Sequence, residues 1–344
     1  MTVLSHLAAL CLVAAPAEGG PPSGTSVGDS TPGGVQREPS PTRGAPVGLE
    51  PGGLGLGGPG SGPRGGAAYS GAYSPGTLLQ RAQASVRARI GDRDALTFSV
   101  SLDHLHLSDP VSLPGDAGSL PSELYGVGAE AGYVRRLDGG WSVGARLHVG
   151  SPSDEPFSSW SVVAYRAGVD VSFPAGDHGR WVLSVISMNR SPLVDYVPIP
   201  GVAYLYRAEK LHAAVGFPFT SVQWRPGRWT LSGLMGLRAL EGEVAHGERR
   251  AFEGFARFSA TGQPYLLANR PDSSNRLFVD ERRLAGGLRF PLPLSLSAEL
   301  QSGYVFERRV YRGSRPALVL STPDTPSTRL ASGWFVSSSL RFEY

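Results

Sequence analysis

The chain has one cysteine and one lysine among 344 residues. A lone thiol, Cys11, excludes an internal disulfide framework and any zinc site built from several cysteines. Charged residues are sparse at 18 %, and 32 basic groups nearly balance 29 acidic ones, for a net charge of +3. Lys210 is the single lysine, so the basicity is almost wholly arginine, and the arginines are spread along the chain. A nucleic-acid surface concentrates positive charge in a patch, so no nucleic-acid partner is expected. No apolar run approaches the ~18 residues of a spanning helix, and mean hydropathy is −0.10. A helical membrane protein is therefore excluded. No convincing amphipathic helix stands out either. Aromatic residues are missing before Tyr69.

What is present divides the chain into three. Residues 1–17 have the layout of a secretory signal: a short apolar stretch, Leu7 to Ala15, then the small-residue site Ala15-Pro16-Ala17. The charged leading region is weak, with His6 but no Lys or Arg. Residues 18–66 hold 17 glycines and 9 prolines in 49 positions. Such a segment buries too little apolar surface to offset its ordering entropy, which predicts a disordered linker. Gly53 to Gly58 has the glycine density of a nucleotide loop but lacks the flanking strand and helix that such a loop needs.

Residues 67–344 alternate with period two, the mark of strands. Ala82, Ala84, Val86, Ala88 and Ile90 share one face, opposed by Arg81, Gln83, Ser85, Arg87 and Arg89. The same contrast sets Leu96, Phe98, Val100 and Leu102 against Thr97, Ser99, Ser101 and Asp103. It recurs over 125–133, 141–149, 163–173, 229–238, 294–301 and 334–344. Weaker strands are expected at 67–74, 180–189, 211–225 and 282–290.

A soluble sandwich alternates as well, so further signals decide. The alternating stretches reach the ~9–11 residues of a tilted spanning strand. Short connections at 91–94, 137–140, 174–180, 226–228 and 290–293 alternate with long ones at 108–122, 150–159, 190–210, 239–281 and 307–331. Aromatics flank the short turns (Trp141, Phe173, Trp181, Trp224, Trp229, Phe290) and begin strands that return from long loops (Tyr125, Trp160, Trp334). This is the pattern of two interfacial girdles. The prediction is an all-β, closed antiparallel up-and-down transmembrane barrel over 67–344, with about twelve strands (ten to fourteen). A hairpin around Phe252 to Phe258 would give fourteen.

The final Leu340-Arg-Phe-Glu-Tyr344 resembles the aromatic-ended last strand of bacterial outer-membrane barrels. The segment Pro198-Ile-Pro-Gly-Val-Ala-Tyr204, with Gly216-Phe-Pro218, resembles an uncharacterised family of outer-membrane β-barrel domains. The resemblance implies residence in the bacterial outer membrane, contact with its lipid and recognition of the last strand by the barrel-assembly machinery. It implies no known activity. The expected function is passive solute passage or a structural surface role. The alternatives are a secreted soluble all-β binding protein and a barrel-borne outer-membrane hydrolase. Oligomeric state is not legible.

Alternation places Arg87, Arg89, Asp103, Glu130, Arg146, His148, Arg166, Asp170, Glu299 and Arg341 on the lumen face, with Arg81 and Glu343. Opposite charges recur on neighbouring strands, so the lining either braces the wall with ion pairs or selects solutes. No nucleophile–base–orienter arrangement is encoded locally, since neighbours along a strand point to opposite faces. His104 and His106 share a face, yet no third metal ligand is evident. Neither catalysis nor a cofactor is expected.

Overall fold

A computed structural model describes residues 64–343 apart from 115–118, 191–195, 249–250, 271, 273, 315–320 and 322. The signal expectation and residues 18–63 of the linker lie outside the described residues; residues 64–66, expected as linker, instead open the first strand, so the barrel begins at Arg64 rather than at 67. Strand β1 (Arg64–Ser74) pairs antiparallel with the last strand, β17 (Gly333–Glu343), with Tyr69 opposite Leu340, so the sheet closes on itself.

Between them run β2 (Thr77–Arg89), β3 (Asp94–Leu107), β4 (Glu123–Arg136), β5 (Ser142–Ser153), β6 (Ala164–Pro174), β7 (Gly179–Met188) and β8 (Ile199–Arg207). There follow β9 (Leu211–Phe217), β10 (Phe219–Trp224), β11 (Trp229–Gly236), β12 (Ala239–Glu248), β13 (Phe252–Tyr265), β14 (Arg276–Leu292) and β15 (Leu296–Gly313). Each is antiparallel to its predecessor. The short β16 (Ser327–Arg329) pairs only with the end of β15, and β17 joins β15 directly. Among the described residues the wall therefore has sixteen strands.

That count corrects the expected twelve. Residues 199–207, taken for loop, form β8. The single strand expected over 211–225 is a hairpin, β9 and β10, turning at Pro218. The long loop expected over 239–281 contains both β12 and β13, paired from Ala239 opposite Thr261 to Glu248 opposite Phe252.

One rim, the turn rim, carries only short connections (90–93, 137–141, 175–178, 208–210, 225–228, 249–251 and 293–295) together with the start of β1 and the end of β17. The loop rim carries every long one: 108–122, 154–163, 189–198, 266–275 and 314–332. Three tight turns, at 75–76, 218 and 237–238, also lie on the loop rim, so long and short do not alternate strictly.

The two faces differ sharply. Phe98 is 51 % exposed and Val169 58 %, with Leu147, Leu183, Val215 and Met235 exposed on the same outer surface. Trp141 stacks on Phe173 and Trp181 tilts against Tyr204 near the turn rim. Tyr304 and Trp334 meet edge to face toward the loop rim. The opposite face holds charge that reaches across the barrel. Arg81 on β2 donates to Gln263 on β13, and Gln263 donates to Asp103 on β3. Strands that are not neighbours can share hydrogen bonds in this way only through the interior.

The two halves of the proline motif pair with each other. Val202 lies opposite Phe217 and Ala203 opposite Gly216. A Cβ on Gly216 would fall 2.1 Å from the Val202 carbonyl oxygen and 2.5 Å from the Ala203 Cα. Glycine is needed there because backbone, not a flexible side chain, fills the space. Gly216→Ala is expected to pry β8 from β9 and lower the yield of folded barrel, read as the fraction that migrates as a compact species on an unheated gel. A normal yield would show that the strands separate easily.

Candidate functional site

The inward face is built from register. Glu130, His148 and Arg166 lie opposite one another on β4, β5 and β6. Arg166 reaches past His148 and donates to Glu130 at 2.9 Å. Arg146 donates to Asp170 at 2.9 Å, and Arg81 lies opposite Asp103, 3.4 Å from its carboxylate. His148 packs beside Gly128, where an added Cβ would come within 2.8 Å of its ring. Arg87 and Arg89 continue the inward row of Arg81 on β2, opposite Thr97 and Ala95. Arg341 shares the inward face of β17 with Ser337, opposite Ser297 of β15.

Glu299 belongs to a larger cluster on β12 to β15 that alternation in the sequence did not assemble. Arg257 donates to Glu243 at 2.7 Å and to Glu299 at 3.1 Å, and lies 3.4 Å from Glu241. Arg289 donates to Glu299 at 2.6 Å, to Glu253 at 3.1 Å and to Glu243. Both guanidinium groups cover the ring of Phe255, at 4.8 and 4.2 Å from its centre. Charge-assisted bonds and cation–π contacts of this kind hold side chains in fixed positions. Higher on the same face, Arg308 binds Glu281 at 2.8 Å and crosses the seam to Thr77 and Ser74 at 2.6 and 2.8 Å. The signal for these residues was there: Glu241, Glu243 and Glu253, Arg257 repeat at even spacing within a stretch taken for loop.

Toward the loop rim the inward face turns apolar. Leu105 and Leu107 of β3 and Leu124 of β4 pack with Val111, Leu113 and Leu120 of the 108–122 connection. Against them lie Leu267 of the 266–275 connection and Tyr265, Leu277 and Val310 of β13, β14 and β15. Leu124 and Tyr265 are fully buried. Each such side chain contributes roughly 1.5–3 kcal/mol by leaving water. A wall of sixteen strands would otherwise leave an aqueous channel; here two loop segments meet inside its mouth.

The described part of the 266–275 connection is fastened across that mouth. The Leu266 amide donates to the Pro152 carbonyl at 2.6 Å and the Ala268 amide to Asp154 at 2.8 Å. Arg270 donates to the Leu267 carbonyl at 2.8 Å and to that of Ser161. Arg276 donates to the Arg190 carbonyl at 3.1 Å. Burial, with Arg190 and Arg276 pushing the same way, lowers the pKa of the Arg270 guanidinium. Arginine nevertheless stays protonated at ordinary pH, so the strap keeps its charge.

On the outer face, where β3 and β4 approach the loop rim, Glu123 supplies the third group beside the two histidines. It accepts from the His106 Nδ1 at 2.7 Å and from the His104 Nε2. His104 also stacks on Tyr125, 4.9 Å between ring centres. Among the described residues no group of three such side chains is arranged to hold a metal ion.

Neither a family model nor a curated protein matches the chain. Among solved structures, the β domain of the Bordetella autotransporter BrkA aligns over 82 % of this chain and 98 % of its own, at 12 % identity and a TM-score of 0.27. Salmonella typhi OmpF in complex with daunomycin covers 82 % and 97 %, at 8 % identity and 0.32. The Pseudomonas putida toluene transporter TodX covers 82 % and 88 %, at 9 % identity and 0.31. Identities and scores this low leave function to the chain's own geometry.

Proposed function

We propose that this chain is a non-catalytic bacterial outer-membrane β-barrel whose mouth is closed to water-borne solutes at rest. In this reading the exposed apolar belt faces lipid and the paired charges brace the wall. The loop rim faces outward from the cell and the turn rim faces the periplasm. The leading segment 1–17 directs export, the stretch between it and β1 is a periplasmic linker, and the last strand engages the barrel-assembly machinery. The loop motif at 198–204 and 216–218 marks a barrel family without assigned activity.

One observation carries the choice of a surface or structural role over a standing aqueous pore. It is the fastening of 266–270 to β5 and the 154–163 loop, with the apolar cluster beneath it. The barrel itself is tested by membrane fractionation and heat-modifiable migration; folded protein in the soluble fraction overturns it. The closed mouth is tested in planar bilayers. The folded barrel is expected to pass no steady current, and a standing conductance would reject closure. Asp154→Ala with Arg270→Ala removes the strap's side-chain bonds at Asp154 and Ser161 and is expected to produce intermittent openings.

A further inference from the structure

The wall is very uneven in height. Strand β10 has 6 residues and β9 has 7, whereas β14 has 17 and β15 has 18. At ~3.3 Å per residue and a tilt near ~45°, β10 rises only about 14 Å, against an apolar belt of ~25 Å. At the turn rim β10 ends and β11 begins with girdle aromatics, Trp224 and Trp229, both about half exposed. The deficit therefore falls at the loop rim, in the half of the bilayer nearest the outside.

The inner face of this low sector differs from that of the charged strands flanking it. Leu205, Ala214, Ser221 and Leu234 form one register row across β8 to β11. Leu234 lies opposite the inward Glu241, which fixes the row as inward. Nearer the loop rim come Ala203 opposite Gly216, and Phe219 opposite Gly236. Segments 201–205, 214–221 and 230–236 contain no charged residue on either face. On either side, β4 to β6 and β12 to β15 carry arginine and carboxylate pairs on the inward wall at comparable depth.

Given the membrane reading above, on which this rests, we infer that an apolar or single-chain amphipathic molecule enters the barrel sideways from the bilayer, over the β9–β10 rim. The axial mouth is capped, which hinders a hydrated solute. A molecule dissolved in the outer half of the bilayer has only a low, uncharged edge to clear. Beyond that edge it meets an inner surface that costs it no desolvation of ion pairs. Charged sectors on either side confine it to this stretch of wall.

The test uses the folded chain in phosphatidylcholine vesicles containing palmitic acid with a diazirine in its acyl chain. After irradiation, adducts are mapped by mass spectrometry. Adducts are expected on outward residues around the belt, such as Val169, Val215 and Val222. They are also expected on inward Ala214, Phe219 and Leu234, but not on inward Ser99 and Ser101 of β3. Adducts on the outer face alone overturn the lateral route and leave the barrel reading standing. Adducts on neither face overturn the barrel reading itself. Equal labelling of Ser99 and Ser101 overturns confinement to the low sector. Leu234→Asp is expected to lose the inward adducts while keeping the outward ones; their retention would also count against the route.

Discussion

Placing arginine at Val169 is expected to abolish assembly of the barrel. Val169 sits mid-strand in β6, between Ala145 and Val185 on its neighbours, and is 58 % exposed on the outer face. A guanidinium there enters hydrocarbon near its centre, at a cost of ~2–4 kcal/mol. Its directly opposed neighbours, Ala145 and Val185, offer no polar group to shelter it. Three positions away, Arg166 points inward to Glu130, and Arg166→Ala removes only one ion pair from a partly hydrated face. The measurement is the heat-modifiable band after refolding into vesicles. Val169→Arg should lose it and Arg166→Ala should keep it. Equal behaviour of the two would mean that the faces are assigned wrongly.

The second large effect is expected at Arg257. This residue is 3 % exposed and touches Glu241, Glu243 and Glu299. Arg257→Met leaves Glu243 and Glu299 paired with Arg289 and takes from Glu241 its nearest cation. Removing one partner of a buried ion cluster costs roughly 3–5 kcal/mol, because the remaining charges stay desolvated. The variant should therefore unfold at clearly lower urea. Adding Glu243→Gln to it should restore part of the loss by removing one of the stranded charges. Arg228→Ala is the control, since Arg228 and Glu248 are both largely exposed and pair at 3.7 Å. Exposed pairs of that kind contribute ~1 kcal/mol or less. A midpoint for Arg257→Met like that of Arg228→Ala would show that the cluster is hydrated rather than buried.

The facing of the wall was legible because its contrast is large where lipid-like and charged side chains alternate. Phe98 and Ser99, or Val169 and Asp170, leave little choice. The pattern was illegible where the contrast falls. Gly242 and His246 interrupt Leu240 and Val244 on the outward face of β12 while Glu241 and Glu243 face in, so the contrast between its faces is weak. Strand β8 was hidden by Pro200 and Gly201, residues that usually end a strand. The β9–β10 turn was hidden differently. Outward residues are odd up to Phe217 and even from Thr220, a shift of parity at Pro218 that a single continuous strand cannot make.

The interior cap could not be read from the chain at all. Leu266 meets Pro152, and Arg270 meets Ser161. No local periodicity encodes contacts between residues so far apart. The third partner of His104 and His106 was missed for a related reason. Glu123 opens the next strand, and only the β3–β4 register, with His106 opposite Glu123, brings it there.

The seam between β1 and β17 has a consequence for biogenesis. It joins the first described strand to the last. Until β17 docks on β1, a sheet assembled from the other strands carries two raw edges, and such edges invite pairing with foreign chains. No fragment released early can seal itself, so a premature stop anywhere upstream should yield a sticky open ribbon rather than a smaller cylinder.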